Sequence, residues 1–258
     1  MEASDRSMIS SLFLSLPFIA VALMYGFKDV QWSKKNAQHT FIPFSLGSFL
    51  LYSYVALSSL LTGTHLYFSY LAVAYIFLTW AVGFYLDLSQ LKKQQKKTKQ
   101  MMNQTGIICC YVVLLVFFSY LLSMGNIKAF SINTACFMLF PLSSYMANKV
   151  SLRLTIYYLL LLIISCFFMA IPTFIDILYV TTIFYIIIVL EVEGQAVYGI
   201  NGSLILGASL ALWTVTVPET SGQLLFLLLA CISIVLFFFW PVLQGAYCQW
   251  AKRIGTTE

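Results

Sequence analysis

Two glutamates, Glu191 and Glu193, end a long uncharged apolar run, and three glycines follow within ten residues. The whole chain has only nine acidic residues, so this pair is conspicuous. On a regular helix the two side chains would point to different faces, but an unwound turn containing glycine lets both carboxylates face one cation. Acidic side chains near a membrane are costly and usually face a cavity or a partner. The pair therefore indicates either a cation site or the polar end of a membrane helix.

A third acid, Asp87, ends an earlier apolar run and precedes the basic segment LSQLKKQQKKTKQMM from Leu88 to Met102. Carboxylate oxygens suit Mg²⁺, which in proteins commonly binds a phosphate as well. The sequence thus predicts a magnesium site with the ligands Asp87, Glu191 and Glu193. The lysines of the basic segment, Lys92 and Lys93 first, would add positive charge for a diphosphate, or would simply lie in water near anionic lipid headgroups.

The elements that must position these residues are membrane helices. The chain is 61% hydrophobic and 9% charged, whereas soluble domains carry about 25% charged residues. Uncharged runs recur along its whole length, which predicts an all-α polytopic membrane protein with a single transmembrane domain over residues 1–258. Nine spans are predicted, at residues 7–26, 41–62, 66–86, 107–124, 129–147, 152–172, 174–190, 199–217 and 221–246.

The positions of the basic residues predict the orientation of these spans, because Lys and Arg concentrate on the cytoplasmic side. With the N-terminus outside and the C-terminus in the cytoplasm, 12 of the 14 basic residues fall on the cytoplasmic side. These twelve are Lys28, Lys34, Lys35, Lys92, Lys93, Lys96, Lys97, Lys99, Lys149, Arg153, Lys252 and Arg253. Asp87 and both glutamates then lie on the same side.

Small and polar residues mark the eighth predicted span. Glycine, serine and asparagine let helices approach closely and form hydrogen bonds between helices. The pattern predicts close packing of this span, with cavity lining as the alternative. The residues concerned are Asn201, Gly202, Ser203, Gly207 and Ser209.

The pattern Glu191-x-Glu193-Gly194-Gln195-x-x-x-Gly199-Ile200 resembles the second motif of the UbiA superfamily of intramembrane prenyltransferases, commonly D-x-E-G-D-x-x-x-G-I. Gln195 stands where the family has a metal-binding Asp. The first family motif, N-x-x-x-D-x-x-x-D, keeps only Asp87, because Gly83 replaces the Asn and Leu91 the last Asp. Midway between its motifs the family places a cytoplasmic Tyr followed by basic residues, where this chain has Tyr145, Lys149 and Arg153.

The resemblance covers roughly residues 41–246. It implies nine helices around a central cavity that opens to the cytoplasm, and Mg²⁺ on an isoprenoid diphosphate whose allylic carbocation is attacked by an aromatic or lipid acceptor. Aromatic side chains would line the isoprenoid pocket. The catalytic positions would be Asp87, Glu191 and Glu193. The implied substrate-binding residues are Lys92, Lys93, Tyr145, Lys149, Arg153 and Tyr198. The order of spans departs from the family, with three before the first motif and two after the second.

Two other functions remain open from the sequence. The departures at Gly83, Leu91 and Gln195 favour a catalytically inactive scaffold or lipid-binding subunit. A transporter for a lipid or small metabolite would instead require polar groups at mid-membrane, of which there are few. Nothing in the pattern of basic residues indicates a nucleic-acid partner. A Cys or His metal site is not expected, because the six cysteines lie in or beside apolar runs and the two histidines are isolated.

Overall fold

The structure, a computed structural model, is built almost entirely of helices. The residues that it describes are 31–32, 40–41, 45–61, 69–93, 101–123, 125–148, 153–166, 174–192, 198–215 and 220–255. The helices are α1 Ser45–Leu61, α2 Tyr70–Lys93, α3 Met101–Ser123, α4 Ile127–Ala147, α5 Arg153–Cys166, α6 Phe174–Val192, α7 Gly199–Val215 and α8 Thr220–Gly255. Two short strands, β1 Gln31–Trp32 and β2 Thr40–Phe41, pair antiparallel ahead of them. The all-α prediction is confirmed.

Eight of the nine predicted spans correspond to these helices, and the remaining one, at residues 7–26, lies outside the described residues. The sequence predicts the basic segment, within the cytoplasmic stretch at residues 87–106, as a solvated loop or a helix extension. Helix α2 continues to Lys93 and helix α3 already begins at Met101, so helix takes in both ends of this segment. Long polar residues such as Lys and Gln are good helix formers, so an apolar helix extends readily into such a sequence.

Three stretches of the described helices are long and apolar enough to cross a membrane: Tyr70–Ser89, Gly106–Ser123 and Gly222–Trp240. Shorter apolar stretches lie in α1, α6 and α7. These lengths and compositions are compatible with a membrane protein. Helix α8 has 36 residues, so at 1.5 Å per residue it is about 54 Å long and exceeds a hydrocarbon layer of about 30 Å.

Helix α7 is the centre of the bundle. Every residue from Ile200 to Leu212 is buried, and the helix packs most extensively against α4 and α2, with further contacts to α1, α5 and α8. A helix that is buried on all faces needs small residues where its neighbours come close. Gly207 is such a position, because a Cβ placed there would lie 2.5 Å from the Cα of Pro141 in α4. The predicted close packing of this span is confirmed.

Candidate functional site

The carboxylate of Asp87 caps the N-terminus of helix α7. Asp87 lies near the end of α2 with only 4% of its surface exposed. Its Oδ1 accepts the backbone N–H of Ile200 at 2.8 Å, and its Oδ2 accepts that of Asn201 at 2.9 Å. The first N–H groups of a helix have no partner within the helix, and the helix dipole favours a negative charge there. Asp87 thus satisfies two of these donors from a different helix.

The start of α7 has its own local signals. Gly199 has φ +60°, in the left-handed region that favours glycine. The first helical bond then runs from the N–H of Gly202 to the carbonyl of Tyr198, at 2.9 Å. Asn148, which caps the C-terminal end of α4, donates its Nδ2 hydrogen to the carbonyl of Gly199 at 2.6 Å. The first turn of α7 is therefore held by both α2 and α4.

A second set of hydrogen bonds joins Glu191, Thr155 and Tyr198 beside this turn. Glu191, near the end of α6, is 8% exposed and Tyr198 is fully buried. The Oγ1 of Thr155 donates to Oε2 of Glu191 at 3.0 Å and lies 2.7 Å from the Tyr198 hydroxyl. Because a threonine hydroxyl has one hydrogen, it must accept from Tyr198 when it donates to Glu191. Burial raises the pKa of Tyr198 well above its usual value, so this phenol stays protonated and can donate.

Two glycines let α1 and α2 approach the first turn of α7. A Cβ on Gly83 would lie 2.5 Å from the Cα of Asn201, and a Cβ on Gly47 would overlap Oδ1 of the same asparagine. At Gly83 the neighbouring atoms are backbone, so a larger residue would require α2 and α7 to move apart. At Gly47 the neighbouring atom belongs to the Asn201 side chain, which would have to take another position.

Arg153, the first residue of α5, packs on aromatic rings of α8. Its guanidinium carbon lies 4.7 Å from the ring centroid of Trp240 and 5.6 Å from that of Phe237. Tyr157, one turn further along α5, meets the ring of Phe237 edge-on with the centroids 5.6 Å apart. These contacts fix the beginning of α5 against α8, two residues before Thr155.

The structure brings three of the predicted site residues to one end of the bundle: Asp87, Glu191 and Tyr198. It places Arg153 at the start of α5, on the side facing α8. Tyr145, in the last turn of α4, is 39% exposed. Lys92 and Lys93 end helix α2, but their side chains lie outside the described part, as do the whole residues Glu193 and Lys149.

Two residues of this end were not predicted as members of a site: Thr155 and Asn148. The only sequence signal was their place at predicted helix ends, next to basic residues. Among the described side chains, no three of the types His, Cys, Asp and Glu come together as ligands of a metal. The acids here accept hydrogen bonds from protein groups, and the arrangement joins five helices at one end of the bundle.

No family model, curated protein or solved structure matches this chain. The resemblance to the UbiA superfamily therefore stays a prediction from the two motifs.

Proposed function

We propose that this chain is a UbiA-like membrane protein without prenyl-transfer activity, which acts as an assembly or lipid-binding subunit. The Asp87 carboxylate is the observation that carries the proposal. Both of its oxygens accept backbone N–H groups of α7, at 2.8 and 2.9 Å. In the family pattern this Asp would direct its oxygens to Mg²⁺. Here the carboxylate serves to hold the central helix.

The environment of Gly83 supports the same proposal. A metal-binding asparagine at this position would require α7 to move away from α2, because the Cα of Asn201 already lies within 2.5 Å of where its Cβ would be. The close approach of α7 and the loss of the motif residue are thus two aspects of one packing arrangement. A chain that has exchanged a ligand for helix packing is expected to retain the fold without the reaction.

Glu191 supports it in a similar way. Its Oε2 accepts the hydroxyl of Thr155, which is linked in turn to Tyr198 at the start of α7. This carboxylate is buried and has a protein partner, which is what stabilises an acid at a helix end in the absence of a ligand. Tyr198 is fully buried, so the surface it would offer to a substrate is already used in packing.

A second candidate is the function that the motifs imply: a prenyltransferase or prenyl-diphosphate cyclase that uses Mg²⁺. What favours it is that Asp87 and Glu191, more than a hundred residues apart in sequence, are both linked to the start of α7, Asp87 directly and Glu191 through Thr155 and Tyr198. Carboxylate oxygens are the ligands that Mg²⁺ prefers, although both oxygens of Asp87 already accept backbone N–H groups. Asp87, Glu191 and Glu193 would hold the ion, and it would stabilise the leaving diphosphate.

Binding of a non-hydrolysable farnesyl diphosphate analogue to the purified chain, with and without Mg²⁺, separates the two candidates. The proposal predicts no Mg²⁺-dependent binding by the wild type and no difference in the double variant Glu191→Gln/Glu193→Gln. An active intramembrane prenyltransferase provides the positive control. Mg²⁺-dependent binding that the double variant loses, while its melting temperature is unchanged, would overturn the scaffold proposal and establish the metal–diphosphate site.

A further inference from the structure

The Arg153 guanidinium lies over aromatic rings of α8. Its central carbon is 4.7 Å from the ring centroid of Trp240. A guanidinium has five N–H donors, and a contact with the face of a ring leaves them able to meet acceptor oxygens. Within the described part of the chain, the contacts of this guanidinium are with aromatic rings and no carboxylate pairs with it. The charge is therefore positioned by packing and is not neutralised by a described neighbour.

The exposure of Trp240 suits the surface of a membrane. This ring belongs to the apolar helix α8, has 45% of its surface exposed and lies near the cytoplasmic end of the span predicted at residues 221–246. Tryptophan is enriched where hydrocarbon gives way to headgroups, since its ring is apolar and its N–H is polar. Arg153 lies against this ring from the apolar helix α5. A guanidinium beside an interfacial tryptophan is within reach of lipid phosphates.

The sequence near this end of the two helices is basic. Lys149 stands four residues before Arg153, and Lys252 and Arg253 follow Trp240 in the sequence of α8. Basic residues clustered just outside apolar helices attract anionic lipids, each contributing about 1 kcal/mol near the surface. Arginine is suited to the contact itself, because its planar fork matches two phosphate oxygens.

We propose that Arg153, stacked on Trp240, binds the phosphate of an anionic phospholipid at the outer surface of the bundle. The guanidinium edge donates to the phosphate oxygens, and the exposed face of Trp240 packs against the acyl chain next to the headgroup. The site lies on the contact between α5 and α8, apart from the Asp87 cap. It rests on the lipid-binding part of the proposed function and names the lipid class. The prenyltransferase candidate would instead use Arg153 for the isoprenoid diphosphate, and the lipid measurement without Mg²⁺ can fail independently of the Mg²⁺-dependent diphosphate test.

Native mass spectrometry of the full chain in detergent tests the proposal, with phosphatidylglycerol, phosphatidylcholine or inorganic diphosphate added separately and without Mg²⁺. We expect the wild type to bind phosphatidylglycerol about tenfold more tightly than Arg153→Gln, the loss typical of one charge-assisted contact. Arg153→Lys should fall between the two, because it keeps the charge and loses the fork. Lys128→Gln is the matched control, since Lys128 is an exposed base at the start of α4, the opposite end of that helix from Asn148.

Unchanged phosphatidylglycerol binding by Arg153→Gln would overturn the proposal. A second outcome would also overturn it: the wild type binds inorganic diphosphate but binds phosphatidylglycerol no more tightly than phosphatidylcholine. The ligand would then be a soluble phosphate. A second measurement needs no change at Arg153. The fluorescence difference between wild type and Trp240→Phe isolates the Trp240 signal, and we expect brominated phosphatidylglycerol to quench it more strongly than brominated phosphatidylcholine. Equal quenching by both lipids would also overturn the proposal.

Discussion

Asp87 and Ile200 are 113 positions apart in the sequence and are joined by a 2.8 Å hydrogen bond from the backbone N–H of Ile200 to Oδ1 of Asp87. Helix caps usually come from the residue immediately before the helix. Here the cap comes from the side of another helix, so it couples the start of the central helix to the end of α2. The buried carboxylate therefore joins two helices and also satisfies the first N–H groups of one of them.

Removal of the Asp87 carboxylate is expected to destabilise the fold. Asp87→Ala leaves two buried N–H groups without an acceptor and should lower the free energy of unfolding by about 3 kcal/mol, since hydrogen bonds to charged groups contribute roughly 1.5–3 kcal/mol. Asp87→Asn keeps one acceptor oxygen and should lose about half as much. Reversible unfolding in mixed micelles measures both values.

Asn126→Ala provides the comparison for this prediction. Asn126 is an exposed N-cap of α4 whose Oδ1 accepts from the N–H of Lys128 at 3.0 Å, and its loss should cost about 1 kcal/mol. An Asp87→Ala variant as stable as Asn126→Ala would show that the cap does not hold α7 in place.

Introducing the asparagine of the UbiA motif at position 83 is expected to lower the stability of the protein and not to create a metal site. In Gly83→Asn the new Cβ would meet the backbone of Asn201, so α2 and α7 have to separate. Overpacking of this kind typically costs about 1–3 kcal/mol. The measurement is unfolding free energy alongside Mg²⁺ binding by calorimetry. Gly106→Asn is the control, because nothing lies within 4 Å of a Cβ at this helical position; if both variants lose equal stability, the close approach is not the cause.

Replacement of Gly199 by alanine, which adds one methyl group, is expected to destabilise the protein. Its φ of +60° disfavours any residue with a Cβ, and Gly199→Ala should cost about 1–2 kcal/mol through backbone strain. In Gly106→Ala, on an ordinary exposed helical turn, the same change should be neutral or slightly stabilising. Thermal unfolding of the two variants side by side measures the difference, and a stable Gly199→Ala would contradict the backbone conformation at the start of α7.

The contribution of the Tyr198 hydroxyl to the free energy of unfolding is expected to be the same at every pH below about 10. Tyr198→Phe removes one buried hydrogen bond to Thr155 and should cost about 1 kcal/mol. Burial raises the pKa of Tyr198 above the value of about 10 in the unfolded chain. Its contribution is therefore fully present below pH 10 and lost only as the pH rises towards the folded value. Unfolding measured at pH 6, 7.5 and 9 should give one constant difference.

Tyr145→Phe is the control for the Tyr198 variant, since Tyr145 is exposed and its hydroxyl is expected to contribute nothing measurable. A Tyr198→Phe penalty that disappears between pH 6 and pH 9 would show that the phenol ionises in that range, contrary to its burial.

Much of the fold could be predicted from the sequence because a membrane helix is a local property. Twenty or so consecutive apolar residues mark it without reference to the rest of the chain. The small residues of the eighth predicted span also predicted close packing, as Gly207 against Pro141 illustrates. The span pattern could not show which helix is central, because nearly every span is apolar on all faces and so gives no direction for its neighbours.

For the candidate site, the sequence could predict which residues lie at the same end of the bundle but not what each of them binds. The predicted orientation of the spans puts Asp87 and Glu191 on one side. In the structure Asp87 bonds the first turn of α7 directly, and Glu191 is linked through Thr155 to Tyr198, the residue before it. What each carboxylate binds depends on atoms far away in sequence, such as the N–H of Asn201 and the hydroxyl of Thr155. A carboxylate that accepts backbone N–H groups and one that binds a cation give the same pattern in a sequence motif. The sequence alone therefore does not distinguish these two roles.

The central position of α7 has a consequence for how the protein is made. During synthesis the chain emerges from its N-terminus, so α1 to α6 are made before α7 exists. The helices that will surround α7 then lack their central contact, and the Asp87 carboxylate lacks its two backbone donors. Addition of this 17-residue helix joins them, and α8 packs on afterwards. Truncation before residue 199 should therefore leave helices that cannot assemble into the bundle.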